Sequence, residues 1–185
     1  MSLGLKRGTV RLEAHDPAWD AAAREVIAAL WAVLGSAAVD IQHVGSTAVP
    51  KIAAKPIVDI AVAVKRTEAL EDYDDELAKR GIVFRKTEFQ NDRLYVMGDG
   101  ETRTHHIHMV CADSTRWKNY IALRDYLNAN EAAADRYFKL KRKLAEQFAE
   151  DRNAYTQGKS ELIERLLDEA AVWRRSDKNE QNNMI

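Results

Sequence analysis

His43-Val-Gly-Ser-Thr-Ala-Val-Pro-Lys-Ile-Ala-Ala-Lys-Pro-Ile-Val-Asp59 joins two apolar strands through a Gly-Ser turn, and the rest of the chain is read outward from it. The first strand, Val39–Val44, runs into Gly45-Ser46. The second, Pro56–Val64, is β-branched at most positions, the mark of an interior strand. Asp59 falls inside it, thirteen residues after Ser46. A carboxylate in such a run is costly to bury unless something pairs with it or the strand face opens to a cleft. Alternation places Ile57, Asp59, Ala61 and Ala63 on one face and Val58, Ile60, Val62 and Val64 on the other. The alanines of the first face leave room for a cleft, and the second face reads as packed core. Gly45 permits close backbone approach and Ser46 supplies a hydroxyl, which is the chemistry a phosphate needs beside it. Turn and carboxylate together predict a nucleotide or phosphate site. Ser46 would donate to a phosphate oxygen, and Lys55 is the nearest cation to assist.

Around this stretch the pattern changes once. Val10–Glu13 is a short strand candidate. Asp16-Pro17 opens a helix that runs to Leu34 and stops at Gly35, with Val26, Ile27, Leu30, Trp31 and Leu34 at helical spacing. A polar helix is expected over 67–80, ending at Gly81. Three strands are expected over 82–89, 93–98 and 103–111, with Gly98-Asp-Gly100 as the turn between the last two. From Ser114 the period becomes helical: 114–128, 131–149 and 152–173, with Ser114 and Asn130 as N-caps. The four tryptophans sit at mostly apolar helical positions and read as core. The organisation is therefore an α/β core over 1–112, a helical lobe packed on it over 113–173, and a polar tail over 174–185 expected to be disordered.

Composition narrows the function classes. At 185 residues the chain suits one structural unit with a real core. A net charge of −1 gives no global field that would signal nucleic acid. One cysteine, Cys111, rules out an internal disulfide and gives no support for a cysteine zinc site. No apolar run approaches membrane-spanning length and no signal peptide is evident, so a cytoplasmic location and no membrane partner are expected.

The remaining chemistry is imidazole. On a strand, His106 and His108 share one face while Ile107 and Met109 point to the core. If that strand neighbours 56–64, both rings lie beside Asp59. Asp59, His106 and His108 then make a metal-site candidate, set against the simpler reading of histidines hydrogen-bonded within a cleft. His43 reads as a structural residue that orients the turn.

The wording of the motif resembles the GrpB family, whose signature is matched at His43, Gly45, Ser46, Thr47, Val49, Pro50, Ala54, Lys55, Pro56 and Asp59. The resemblance continues through Thr104–His108, Leu123–Leu127, Tyr137–Lys141 and Tyr155–Ser160, roughly residues 9–172 in all. Its Gly-Ser to Asp spacing is similar to that of the nucleotidyltransferase superfamily. The resemblance implies an α+β fold: a nucleotidyltransferase-like mixed β-sheet with flanking helices and a C-terminal helical lobe. It implies a nucleoside triphosphate or another small phosphorylated partner, a divalent metal (Mg, Mn or Zn) and Asp59 as catalytic carboxylate. It points to Lys141, Tyr155 and Lys159 as further phosphate- or base-binding residues. Two positions depart from the pattern. Lys51 stands where the family usually has Gly. Ala61 stands where active nucleotidyltransferases carry a second carboxylate. Two readings follow: metal-dependent nucleotidyl or phosphoryl transfer, or a catalytically degenerate nucleotide- or anion-binding module. A coenzyme A link enters the second because related domains occur fused to dephospho-CoA kinase. A hydrolase built on the histidine pair is a third reading, and no nucleophilic triad supports it.

Overall fold

Strand alternation followed by helical periodicity predicts a mixed sheet carrying a helical lobe, and this is the architecture of the computed structural model, which describes residues 3–87 and 92–182. In chain order the elements are β1 (Leu5–Lys6), α1 (Ala18–Leu34), β2 (Ala38–Val44), β3 (Val58–Val64), α2 (Asp74–Ala78), β4 (Val83–Thr87), β5 (Arg93–Met97), β6 (Thr102–Arg103), β7 (His105–Cys111), α3 (Thr115–Ala129), α4 (Glu131–Gln147), α5 (Arg152–Gln157) and α6 (Ser160–Asn182). Five strands form one sheet in the order β2-β3-β7-β5-β4. The central pair, β3 and β7, is parallel, and its neighbours are antiparallel. β1 and β6 form a separate two-stranded ribbon.

The two faces of β3 are covered differently. Val58, Ile60, Val62 and Val64 pack with Ile107 and Met109 of β7 against Trp19 and Leu30 of α1. Asp59, Ala61 and Ala63 face the other way, where α3 crosses β2, β3 and β7. The helical lobe has its own core of Tyr126, Leu127, Ala133, Tyr137, Leu166 and Ala170. Val49 and Ile52 enter that core from the connector between β2 and β3. The connector thus pins the Gly-Ser turn between sheet and lobe. The caps behave as their side chains dictate: Ser114 Oγ accepts from Trp117 N and Asn130 Oδ1 from Ala133 N.

Several boundaries move. Val10–Glu13 is not a strand: Glu13 makes one isolated bridge to Ala54, and the paired N-terminal strand is Leu5–Lys6. The polar helix over 67–80 is a 3-10 segment, Glu68–Tyr73, followed by the short α2. Acidic side chains at 68, 71, 72, 74, 75 and 76 repel one another at helical spacing, and Arg93 recruits Glu71 and Asp74 toward the sheet. The strand expected over 82–89 is β4 as far as Thr87, and residues 88–91 lie outside the described residues. The segment 103–111 divides at Thr104 into β6 and β7. The last helix is interrupted around Gly158, where an added Cβ would lie 2.6 Å from the Leu144 side chain. Helix α6 continues to Asn182, which corrects the expected disorder from 174. Trp19 is core, whereas Trp31 is 40% exposed, contrary to its reading as core.

Ile60 has no exposed surface and sits where sheet and α1 meet. Ile60→Ala is expected to cost about 2–5 kcal/mol, the range for large-to-small core changes. A urea titration followed by circular dichroism measures it, and a loss under about 1 kcal/mol would show that the core collapses around the gap.

Candidate functional site

The parallel register sets the site. Asp59 lies opposite His106 and Ala61 opposite His108, so one face carries the carboxylate and both imidazoles. His106 Nδ1 is 3.1 Å from Asp59 Oδ1, and His108 Nε2 is 3.8 Å from the same oxygen. On its far side His106 Nε2 is 3.0 Å from Arg152 Nη2. A guanidinium only donates, so Nε2 accepts and Nδ1–H donates to Asp59. The tautomer of His106 follows from its partners. Burial pushes the Asp59 carboxyl up, but the hydrogen bond from His106 and the nearby His108 ring outweigh this and hold it well below the usual range. Burial also keeps His106 below its ordinary value, against the pull of Asp59. The group is thus an ionised carboxylate beside a neutral imidazole.

Gly45 makes room for that carboxylate. Its φ of 69° and ψ of −166° place it in a region that essentially only glycine occupies. A Cβ there would lie 2.6 Å from Asp59 Oδ2. His43 secures the turn from behind: Nε2 is 2.9 Å from Thr47 Oγ1, and Nδ1 is 3.2 Å from Asp20 Oδ1 on α1. Arg124 of α3 donates to the His43 carbonyl and to Gln42 Oε1. The turn is therefore tied to both layers, and His43 has the structural part its sequence suggests.

Asp59 opens onto a cavity of about 220 Å³ between β3 and the lobe, lined also by Gly45, Ser46, Lys55, Lys141, Tyr155 and Lys159. The structure thus brings together every residue singled out for phosphate binding. Four cations, Lys55, Lys141, Arg152 and Lys159, line it with one carboxylate. Lys55 and Lys159 sit over the Tyr155 ring, 5.1 and 4.6 Å from its centroid. Lys141 is 1% exposed, donates to the Ala53 carbonyl at 2.7 Å, and so ties α4 to the connector. Burial, then Lys159 and Lys55, pushes it well below the usual lysine value. Burial, Arg152 and Lys159 lower Lys55 to about 8. The Tyr155 hydroxyl is buried and has no hydrogen-bond partner among the described residues. Beside this cavity is a more apolar one of about 390 Å³, reached past Ser46 and Asp59 and walled by Tyr120, Leu123, Leu127 and Leu167.

The three residues expected to form a metal set, Asp59, His106 and His108, are brought together on one sheet face. Among the described residues no group of three or more His, Cys, Asp and Glu side chains forms a cation cage. Around Asp59 both ring nitrogens of His106 are engaged, Ala61 offers no oxygen, and the surrounding charges are positive. His105 is buried next to Thr104 and does not line this cavity. Sequence reading missed Arg152. Its signal was present, because Arg152, Tyr155 and Lys159 follow the i, i+3, i+7 spacing of one helical face. No helix among the described residues is long and apolar enough to cross a membrane.

The family profile described as GrpB protein matches residues 9–169, and the chain belongs to the GrpB family. It is 33% identical to the glutamate-rich protein GrpB of Alkalihalophilus pseudofirmus over 90% of this chain and 99% of that one. Its fold is similar to the crystal structure of GrpB from Enterococcus faecalis, with a TM-score of 0.79, 31% identity, and 86% and 96% of the two chains covered. A weaker likeness is to the Cid1 poly(U) polymerase, with a TM-score of 0.44, 12% identity, and 71% and 45% covered.

Two outcomes follow from this geometry. Gly45→Ala forces a side chain into a glycine-only conformation and into Asp59, and is expected to cost about 2 kcal/mol or more in urea unfolding. A neutral result would place Asp59 elsewhere. For Lys55, a folded pKa near 8 against about 10.4 in the unfolded chain means the unfolded state binds more protons between those values. Its contribution therefore makes stability rise as pH climbs from about 8 toward about 10.4. Chemical denaturation across that range should show a smaller rise in Lys55→Gln than in the original protein, and identical slopes would remove Lys55 from the cluster.

Proposed function

We propose that this GrpB-family protein binds a nucleotide-type ligand, with phosphates in the cation-lined cavity and the base in the adjoining apolar pocket, and that metal is not required for binding. The observation that carries this reading is the buried, unpartnered Tyr155 hydroxyl in a cavity where four cations meet one carboxylate already engaged by His106. An unpartnered buried hydroxyl is a standing cost, and lysines crowded by burial repel one another. A phosphate relieves both by accepting from the phenol and neutralising the ammonium groups. Ser46 and Lys159 line both cavities and would contact the phosphate nearest the ribose. The apolar pocket favours a nucleotide over an inorganic anion. The single cysteine is consistent with a reducing, cytoplasmic setting. Transfer chemistry is not part of the proposal, since Ala61 supplies no second carboxylate.

Tyr155→Phe separates a ligand role from a packing role. Removing an unsatisfied buried hydroxyl is expected to stabilise the free protein by about 1 kcal/mol, while ADP affinity falls about five- to tenfold, the worth of one hydrogen bond. Thermal melting and calorimetry with ADP in EDTA read the two effects. Pyrophosphate should bind more weakly than ADP. If ADP binds only when Mg²⁺ or Mn²⁺ is added, the metal-dependent transferase reading replaces this one. If ADP, AMP and pyrophosphate all fail to bind with or without metal, the site takes another ligand.

A further inference from the structure

Beyond His106 and His108 the sheet face opens into a second groove, of about 820 Å³, which the cavity reading does not use. Leu94 and Val96 of β5 contribute the face that continues from the two histidines, since they pair in register with His108 and His106. Six cationic side chains line it: Arg7, Arg85, Lys86, Arg103, Arg116 and Arg152. No carboxylate lines it among the described residues. The chain as a whole carries a net charge of −1, so this is local segregation and not composition. The arginines come from separate elements: the β1 loop, β4, β6, α3 and the start of α5. Folding has gathered them.

Their charge is only partly answered. Arg116 lies 3.6 Å from Asp92, and Arg152 is spent on the neutral His106 ring. Arg7 and Arg85 form no ion pair among the described residues. Arg103 is held below its ordinary value by burial and then by Arg7, Arg85 and Arg152, with Asp99 a smaller opposing influence. Guanidinium groups this close are stable together when an anion bridges them, and their planar forks suit phosphate oxygens.

We infer that this groove is a second anion subsite, taking a phosphorylated small molecule with at least two phosphate groups. It would lie on the far side of the Asp59–His106 pair from the nucleotide cavity. The two subsites share His106, His108, Arg152 and Thr156, so ligands in both would meet at that pair. A single-stranded nucleic acid is disfavoured because, among the described residues, no Phe, Tyr or Trp lines the groove to stack a base.

The test uses the full chain and inorganic tripolyphosphate at low and moderate salt. Arg7 and Arg85 are exposed and lie outside the nucleotide cavity, so the double variant R7Q/R85Q should fold and keep its ADP affinity. Calorimetry of the original protein should show two tripolyphosphate binding events. R7Q/R85Q should lose one of them by tenfold or more, and Lys159→Gln should weaken the other. An unchanged titration in R7Q/R85Q overturns the subsite. A thymidine oligonucleotide that binds more tightly than tripolyphosphate, and is lost in R7Q/R85Q, also overturns it and assigns the groove to a nucleic-acid strand. Loss of ADP binding alone, with the R7Q/R85Q-sensitive event intact, would sink the nucleotide reading and leave the groove standing.

Discussion

An ionised carboxylate on an interior strand is the constraint to which the rest of the site answers. Asp59 is flanked by Val58 and Ile60, both fully buried, so its charge has no solvent on the core side. The parallel pairing of β3 with β7 solves this by placing His106 directly opposite. A one-residue slip would aim both histidines into the hydrophobic layer and leave the carboxylate facing Ile107. Gly45 follows from the same constraint, because the carboxylate occupies the space a Cβ would need. So does Arg152, whose donation to Nε2 fixes which ring nitrogen faces Asp59.

The lysines show the opposite economy. Lys55, Lys141 and Lys159 are brought into a partly closed space where Lys159 lowers the readiness of the other two to stay charged and Lys55 lowers that of Lys141. A protein selected for stability alone would place apolar side chains there, since buried charge seldom contributes net stability. Lys141 has a structural duty at the Ala53 carbonyl, and Tyr155 accommodates two ammonium groups over its ring. The arrangement is more easily understood as readiness for an anion than as part of the fold's support.

Much of this was legible in the chain. The period-two alternation of 57–64 and 105–109 is local, so the shared face of Asp59, His106 and His108 could be read before any pairing was known. The turn chemistry of Gly45-Ser46 is local as well. What escaped was set by contacts distant in sequence. The β1–β6 ribbon rests on only two paired positions, too short a run to leave a pattern. The break before α6 depends on Leu144 touching Gly158. The 3-10 segment at Glu68–Tyr73 reflects acidic repulsion and the pull of Arg93 across the sheet. The basic groove was invisible because its arginines come from five elements and cancel in the net charge.

Ala61 draws these observations together. Two residues past Asp59, on the same face of β3, a second carboxylate would complete a pair able to attract a cation. Here that position is a fully buried methyl group lying opposite His108 in the register. One negative charge is therefore missing from the face while the positive side chains around it number four. The one carboxylate is held by an imidazole whose other nitrogen accepts from an arginine. With a methyl group at that position the local balance of charge is positive, and the proposed anion site rests on that balance.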